Sequence, residues 1–337
     1  MALGWFFFSL ASLGALHVSV LAIRLLAYLA LCLCRPKDLR RRYGAWAVVT
    51  GPTSGIGRSV ALELARRGLN LVLVDLNAAN LREISETVGS RHASVQTRTV
   101  VFDLSLVATP QGEEAMERFR AAVAGLDVGV LVNNAGVARP GARYLHEVDV
   151  EACVRMIRVN LWAVTELTAA VLPGMVERGR GAVVNIGSAS SEAIPSFPLY
   201  TMYAATKRYV AVFSRSLYVE YRGRGIDVQC QAPFYVATRM VSRVQQAGSL
   251  LCPTPDAYAR AAVRWVGQDA PLCSPYMGHQ LLWCLAAILP DAVHDWLRLR
   301  AHLRHRELFH ARARSSEHAA PGKGVDVRPS IKLVTTK

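Results

Sequence analysis

"AWAVVTGPTSGIGR" occupies residues 45–58. It opens on a short apolar run, turns through glycines at 51, 55 and 57, and enters an amphipathic stretch. An apolar run of this length, stopped by glycine, reads as a strand buried on both faces. Gly51 permits the tight turn, Gly55 lets backbone approach a pyrophosphate, and Gly57 lets the following helix lie close on the strand. With Thr53, Ser54 and Ile56 between them, these glycines form a loop whose amides at a helix start suit phosphate. A lone glycine pattern decides little, but a second apolar run, "NLVLVD" (70–75), ends on Asp75. That is where a carboxylate meets the ribose of a dinucleotide, about twenty residues on.

The same alternation continues outward. Strands are expected at 45–50, 70–75, 97–103, 129–134, 181–187 and 226–231. Helices are expected at 55–67, 78–88, 113–124, 148–178 (with Pro173 bending or ending it) and 201–222. Strands apolar on both faces and separated by helices predict a parallel sheet covered on both sides. Right-handed crossovers make this a Rossmann-type, doubly wound α/β domain. Beyond Thr238 the pattern weakens. Residues 235–275 read as an irregular lid, 281–289 as a core or interfacial helix, and 291–314 as a basic amphipathic helix. That last helix carries Trp296, Leu299, Leu303 and Phe309 among six arginines. Water or anionic lipid would suit its surface. From Ser315 the tail has the composition of a disordered segment.

The chain has 337 residues, is 52% apolar and carries a net charge of +14, and its mean hydropathy is +0.22. Much of the apolar excess lies in residues 3–34, where only Arg24 is charged and His17 titratable. This run exceeds the roughly twenty residues needed to cross a bilayer. Arg24 must snorkel or face protein. "RPKDLRRR" (35–42) follows, with five basic residues and one acidic. The segment 1–34 is therefore expected to be a membrane anchor, 35–44 a basic linker, and the domain from Ala45 to residue 290 cytosolic by the positive-inside bias. A hairpin dipping into the bilayer would instead keep the domain on the side of the amino terminus. A cleaved signal fits poorly, because the run is too long and no basic residue precedes it. The seven cysteines form neither a CxxC pair nor a His/Cys cluster, so no metal site and no disulfide framework is expected. Nucleic-acid binding is not indicated, since the charge sits on the anchor flank and the terminal helix.

Further motifs carry a resemblance. The Gly-x-x-x-Gly-x-Gly spacing, "NNAG" (133–136) closing the fourth strand, Asp103 closing the third, Asn160 in "RVNLWAVTELT", "YAATK" (203–207) and "PFYVAT" (233–238) occur in one order. Together they resemble the short-chain dehydrogenase/reductase family. The resemblance implies that Asp103 meets adenine, that Asn134, Ala135 and Gly136 flank the cofactor, and that Pro233, Val236 and Thr238 stand beside the nicotinamide. Phe234 replaces a glycine usual in that segment. Tyr203 is then the proton donor. Lys207, one helical turn away, holds the ribose and lowers the phenol's pKa. Asn160 anchors a water chain that refills the proton. A serine should bind the substrate carbonyl. Asn185-x-x-Ser188 matches the family's strand end and selects Ser188, whereas the usual thirteen-residue gap before the tyrosine selects Ser190. Ser191 is a third choice.

Asp75 followed by Leu76, with no arginine there, favours NADH by local charge. A narrower resemblance favours NADPH. The anchor, "GLNLVLV", "LDVGVLVNNAGVA", "HEVD" and "GIDVQCQAPFYVATRM" resemble the very-long-chain 3-oxoacyl-CoA reductases of the endoplasmic-reticulum membrane, with plant members nearest. That resemblance implies reduction of 3-oxoacyl-CoA to 3-hydroxyacyl-CoA in fatty-acid elongation. It admits elongase components or a second copy as partners. Asp75-Leu76 and the absence of a two-lysine ending (Lys332 and Lys337 stand apart) depart from those reductases. Two readings stay open beside it: a dehydrogenase of steroids or other lipid ketones, and a weakly active or inactive scaffold paralogue.

Overall fold

A computed structural model describes residues 2–33, 35–138, 140–238, 240 and 248–318. The side chains of Arg24 and Phe309, part of the lid (239 and 241–247) and most of the expected tail (319–337) lie outside the described residues.

The chain runs α1 (Ala2–Leu33), α2 (Leu39–Tyr43), β1 (Trp46–Thr50), α3 (Gly55–Arg66), β2 (Asn70–Asp75), α4 (Ala78–Arg91), β3 (Thr97–Val101), α5 (Pro110–Val123) and β4 (Val128–Asn133). Then come α6 (Val150–Ile157), α7 (Ala163–Glu177), β5 (Gly181–Ile186), the one-turn α8 (Ala189–Glu192), α9 (Thr201–Tyr221) and β6 (Ile226–Gln231). The last elements are α10 (Pro255–Arg264), β7 (Leu272–Cys273), α11 (Met277–Ala286) and α12 (Asp291–His318). Among the described residues the strands form one parallel sheet in the order β3-β2-β1-β4-β5-β6-β7. Strand order reverses between β1 and β4, where open α/β sheets leave a crevice at the carboxyl ends of their strands. β1, β4 and β5 are buried along their whole length, as expected for strands covered on both faces. One apolar layer packs β1 and β2 under α3 and α4, and the other packs Phe102, Met116, Phe119 and Leu167 on the opposite face.

Four expectations need correction. The helix expected at 148–178 does not end at Pro173, which sits inside α7. It is interrupted earlier by a π-turn at Arg158–Trp162, around Asn160. Residues 39–43 are no free linker: Asp38 caps α2 through the Arg41 amide, and Leu39 and Tyr43 are buried in the core. The region 235–275, expected as an irregular lid with short helices, does hold the short helix α10, capped by Thr254, but it also adds an unexpected seventh strand, β7. The third strand ends at Val101, so Asp103 lies just beyond it and caps a short turn.

α1 is long and apolar enough to cross a membrane, and none of its most apolar stretch is buried. Residues 150–177 pass the same test of length and composition. Half of their most apolar stretch is buried, and α7 packs on the sheet.

Candidate active site

The crevice is built on the turn after β1. Gly51 and Gly55 adopt φ of +63° and +54°, the left-handed region that glycine enters without penalty. A Cβ on Gly57 would meet the Gly51 carbonyl oxygen at 2.1 Å and Asn134 Nδ2 at 2.3 Å. Asn134 itself braces this turn, donating from Nδ2 to the carbonyls of Thr50 (2.9 Å) and Gly51 (3.2 Å). Thr50 Oγ1 accepts from the amides of Asn134 and Ala135, each at 3.0 Å. Sequence reading had assigned Thr50 no role. The expected cofactor neighbours Asn134 and Ala135 thus shape the loop as well as flank it. Ser54 precedes α3 without a side-chain cap, so the first amides of that helix are left for an anion. Ile56 packs inward on the core, and Thr238 lies over Gly55.

Asp75 closes β2 and accepts from Thr53 Oγ1 at 2.8 Å. Leu76 beside it is exposed. Arg58, a basic group near this edge, faces Glu83 at 4.0 Å. Asp103 accepts from the Ser105 amide and hydroxyl at 2.9 and 2.7 Å. Val236 is buried, and the Pro233 carbonyl accepts from the Ala189 amide at 2.9 Å, tying this segment to the serine turn. Turn, carboxylate and helix start together fit a dinucleotide. The diphosphate would meet the amides of 55–57, and the adenosine ribose would meet Asp75.

Across the sheet, β5 delivers Ser188 and α9 delivers Tyr203 and Lys207. Ser188 Oγ is 2.7 Å from Ser190 Oγ and accepts from the Ser190 amide at 3.2 Å. The Ser188 hydroxyl also acts on the Tyr203 phenol, opposing the rise of its pKa. Ser191 turns back to the Ser188 carbonyl at 3.0 Å. Of the two paired serines, Ser188 is the one that acts on the phenol. Lys207 is buried, and its ammonium donates to the Ile186 carbonyl at 2.8 Å.

Burial holds Tyr203 above its ordinary pKa, the Ser188 hydrogen bond opposes this, and Tyr235 adds to the rise. Burial pushes Lys207 down to about 8. The expected lowering of the phenol by Lys207 does not come from the protein alone, because that ammonium is turned to the end of β5.

Asn160 is fully buried at the π-turn. Its Oδ1 accepts from the Val137 amide at 2.8 Å, and its Nδ2 donates to the Val137 carbonyl (2.9 Å) and Thr206 Oγ1 (3.1 Å). Gly136 lies between this amide and Lys207: a Cβ there would stand 3.3 Å from Lys207 Nζ and 3.4 Å from Asn160 Oδ1. Beneath, Asn133 Nδ2 donates to Asn185 Oδ1 at 2.8 Å, and Asn185 Nδ2 donates to Ser214 Oγ at 2.9 Å. These buried amides lock the ends of β4 and β5 to α9.

The far wall comes from α12, which sequence reading left on the surface. His302 is buried, its Nδ1 lies 2.6 Å from the Pro198 carbonyl oxygen, and its ring stands edge-on to Phe197 and Tyr200. Arg306 pairs through both terminal nitrogens with Glu147, and Ser196 donates to Asp295. Leu199, in the loop so held, has φ of +63°, a conformation costing a non-glycine residue about 1–3 kcal/mol. Only the buried histidine among the arginines hinted at this.

The chain matches the short chain dehydrogenase family model over residues 45–248. It is 46% identical to a very-long-chain 3-oxoacyl-CoA reductase-like protein of Arabidopsis thaliana, over 82% of this chain and 86% of that protein. It is 36% identical to a Homo sapiens very-long-chain 3-oxoacyl-CoA reductase, over 76% and 78%. Among solved structures, a short-chain dehydrogenase from Sphingobium yanoikuyae in complex with NADPH is 28% identical, with a TM-score of 0.60 over 83% of this chain and 98% of that one. Strand order, glycine turn and sequence likeness therefore agree that this chain belongs to the short-chain dehydrogenase/reductase family and is an NAD(P)-dependent oxidoreductase.

Proposed function

We propose that this chain reduces very-long-chain 3-oxoacyl-CoA to 3-hydroxyacyl-CoA in fatty-acid elongation. It would act from the endoplasmic-reticulum membrane, with α1 as anchor and the domain in the cytosol. The buried Tyr203 phenol, acted on by Ser188 of the hydrogen-bonded pair Ser188–Ser190, supports the chemistry, and the names of the relatives support the substrate. The bound reduced nicotinamide supplies hydride to the carbonyl carbon. Ser188 holds the carbonyl oxygen, and Tyr203 gives it the phenolic proton. A phenol kept above its ordinary pKa is fully protonated at neutral pH, so it is poised to donate. Lys207, still largely protonated at neutral pH, would hold the ribose and steady the phenolate that follows, with Asn160 anchoring the water that refills it.

For the cofactor, the residues of this chain favour NADH. A carboxylate at Asp75 accepts ribose hydroxyls and repels a 2′-phosphate, although the resemblance favours NADPH. One assay tests these assignments. Full-length protein in detergent, given 3-oxoacyl-CoA, should turn over faster with NADH than with NADPH. Asp75→Asn should move that ratio toward NADPH by about ten-fold or more, from the loss of one close like charge. Tyr203→Phe should lower kcat by about 10²–10⁴ while leaving quenching of nicotinamide fluorescence on binding intact. Undiminished turnover in Tyr203→Phe would remove the mechanism. Turnover with neither cofactor would favour the scaffold reading.

A further inference from the structure

α11 and the residues after it carry large apolar side chains that nothing among the described residues covers. Met277, Leu281 and Leu285 recur every four residues and Ile288 follows three later, so they share one helix face. Ile288 is 61% exposed. Past the turn at Pro290 the row continues through Val293, Trp296 and Leu297 of α12, also exposed. The two helices are fixed to one another, because His294 Nε2 lies 2.8 Å from the Ala286 carbonyl oxygen. A contiguous apolar surface of this kind marks an interaction site.

Three observations identify lipid as its occupant. The first is position. At the end of α1 the Tyr28 hydroxyl donates to the Pro275 carbonyl at 3.2 Å, and its ring stacks on Trp265 with centroids 5.0 Å apart. α11 begins two residues after Pro275. The patch therefore starts where the long apolar helix meets the domain. The second is charge. Between Asp295 and Glu307 the sequence has arginines at 298, 300, 304 and 306 and no acidic residue; Arg306 is paired with Glu147, and the Arg300 guanidinium stands over the exposed Trp296 ring at 4.3 Å. Aromatic and aliphatic groups beside arginine are the composition of a helix lying on anionic lipid. The third is orientation. Asp295, His302 and Arg306 turn to Ser196, Pro198 and Glu147 of the domain, which leaves Val293, Trp296, Arg300 and Arg304 on the outer side.

We propose that α11 and the first half of α12 lie in the headgroup region of the bilayer as a second contact beside α1. A groove of about 590 Å³ opens at the edge of this patch. Leu289, Ala287, Ile194 and Ser190 are among the residues that line it. The contact would set the serine turn close to the lipid phase.

The test uses the full chain in nanodiscs of phosphatidylcholine and phosphatidylserine, doped with a lipid carrying a photoactivatable diazirine in its acyl chain. After illumination, labelled peptides are mapped by mass spectrometry. Labels are expected within 277–289 and 293–297 as well as within 3–32. In Leu285→Asp/Ile288→Asp the 277–289 labels should fall several-fold while those in 3–32 persist. Labels confined to 3–32, or 277–289 cross-linked to a second copy in place of lipid, would overturn the proposal. Either result is independent of whether the protein reduces 3-oxoacyl-CoA, which is read separately on the same preparation.

Discussion

Ser188 and Ser190 compete for one role on sequence spacing, and their effect on the phenol separates them. The Ser188 hydroxyl opposes the rise of the Tyr203 pKa, while Ser190 bonds to Ser188. Ser188→Ala removes a donor from the oxygen that gains charge, and such losses cost about 10²–10³ in kcat. Ser190→Ala should cost less than about ten-fold, since Ser188 keeps both its hydroxyl and Tyr203. Steady-state kinetics of both variants on 3-oxoacyl-CoA would check this, and a larger loss at Ser190 would exchange the assignments. The glycine turn was legible because a left-handed φ is a local demand; Tyr203 and Lys207 stood out as a pair one helical turn apart, and they and Asn160 drew their expected roles from the resemblance. Thr50 and the Asn133–Asn185 pair were not legible as supports. Their partners lie 84 and 52 residues away in sequence, and no local pattern encodes such a distance.

At the scale of elements, strands and helices of the doubly wound half were readable from period alone, because strands buried on both faces are nearly continuous apolar runs. The π-turn was not, since one inserted residue leaves the apolar period of a helix almost unchanged. β7 has two residues, too few for any period. The docked side of α12 went unread because it is histidine and arginine, residues that a hydrophobicity pattern assigns to water. That composition makes its docking sensitive to acid. Burial pushes His302 down to about 4, the Pro198 carbonyl opposes this, and His305 and Arg298 push the same way. A histidine with a lowered folded pKa takes up its proton more readily when released. Its contribution is therefore complete above about 6.5 and is lost as pH falls toward about 4. Glu147, held down to about 2 mainly by its hydrogen bond from Arg306, acts in a lower window: its contribution is present above about 4.5 and is lost as pH falls toward about 2. Amide hydrogen exchange should show α12 losing protection between pH 7 and 4.5 (after correction for intrinsic rates) while β1 and β4 keep theirs. Equal protection across that range would mean that His302 does not hold the helix.

For the whole molecule, the question is whether the anchor is tethered to the domain or built into it. Composition alone favoured a tether, since an apolar run followed by five basic residues reads as a membrane helix and a linker. The contacts argue for integration. Tyr28 and Trp265 are both nearly buried against one another, with Cys273 beside them. Arg264 donates to the Cys32 carbonyl, Lys37 donates to the Gly267 carbonyl, and the Tyr43 hydroxyl donates to Asp227. These bonds cross from the first elements of the chain to the segment around α10, β6 and β7. A stacked aromatic pair is worth about 0.5–1.5 kcal/mol beyond its area. Tyr28→Ala and Trp265→Ala, made singly and together in full-length protein in nanodiscs, should therefore show non-additive losses of stability. The expected coupling is about 1 kcal/mol, read as the shortfall of the double variant in thermal unfolding. A coupling of zero would mean that α1 swings free of the domain. The site would then have no fixed height above the bilayer, and the second lipid contact would have to hold the domain to the membrane by itself.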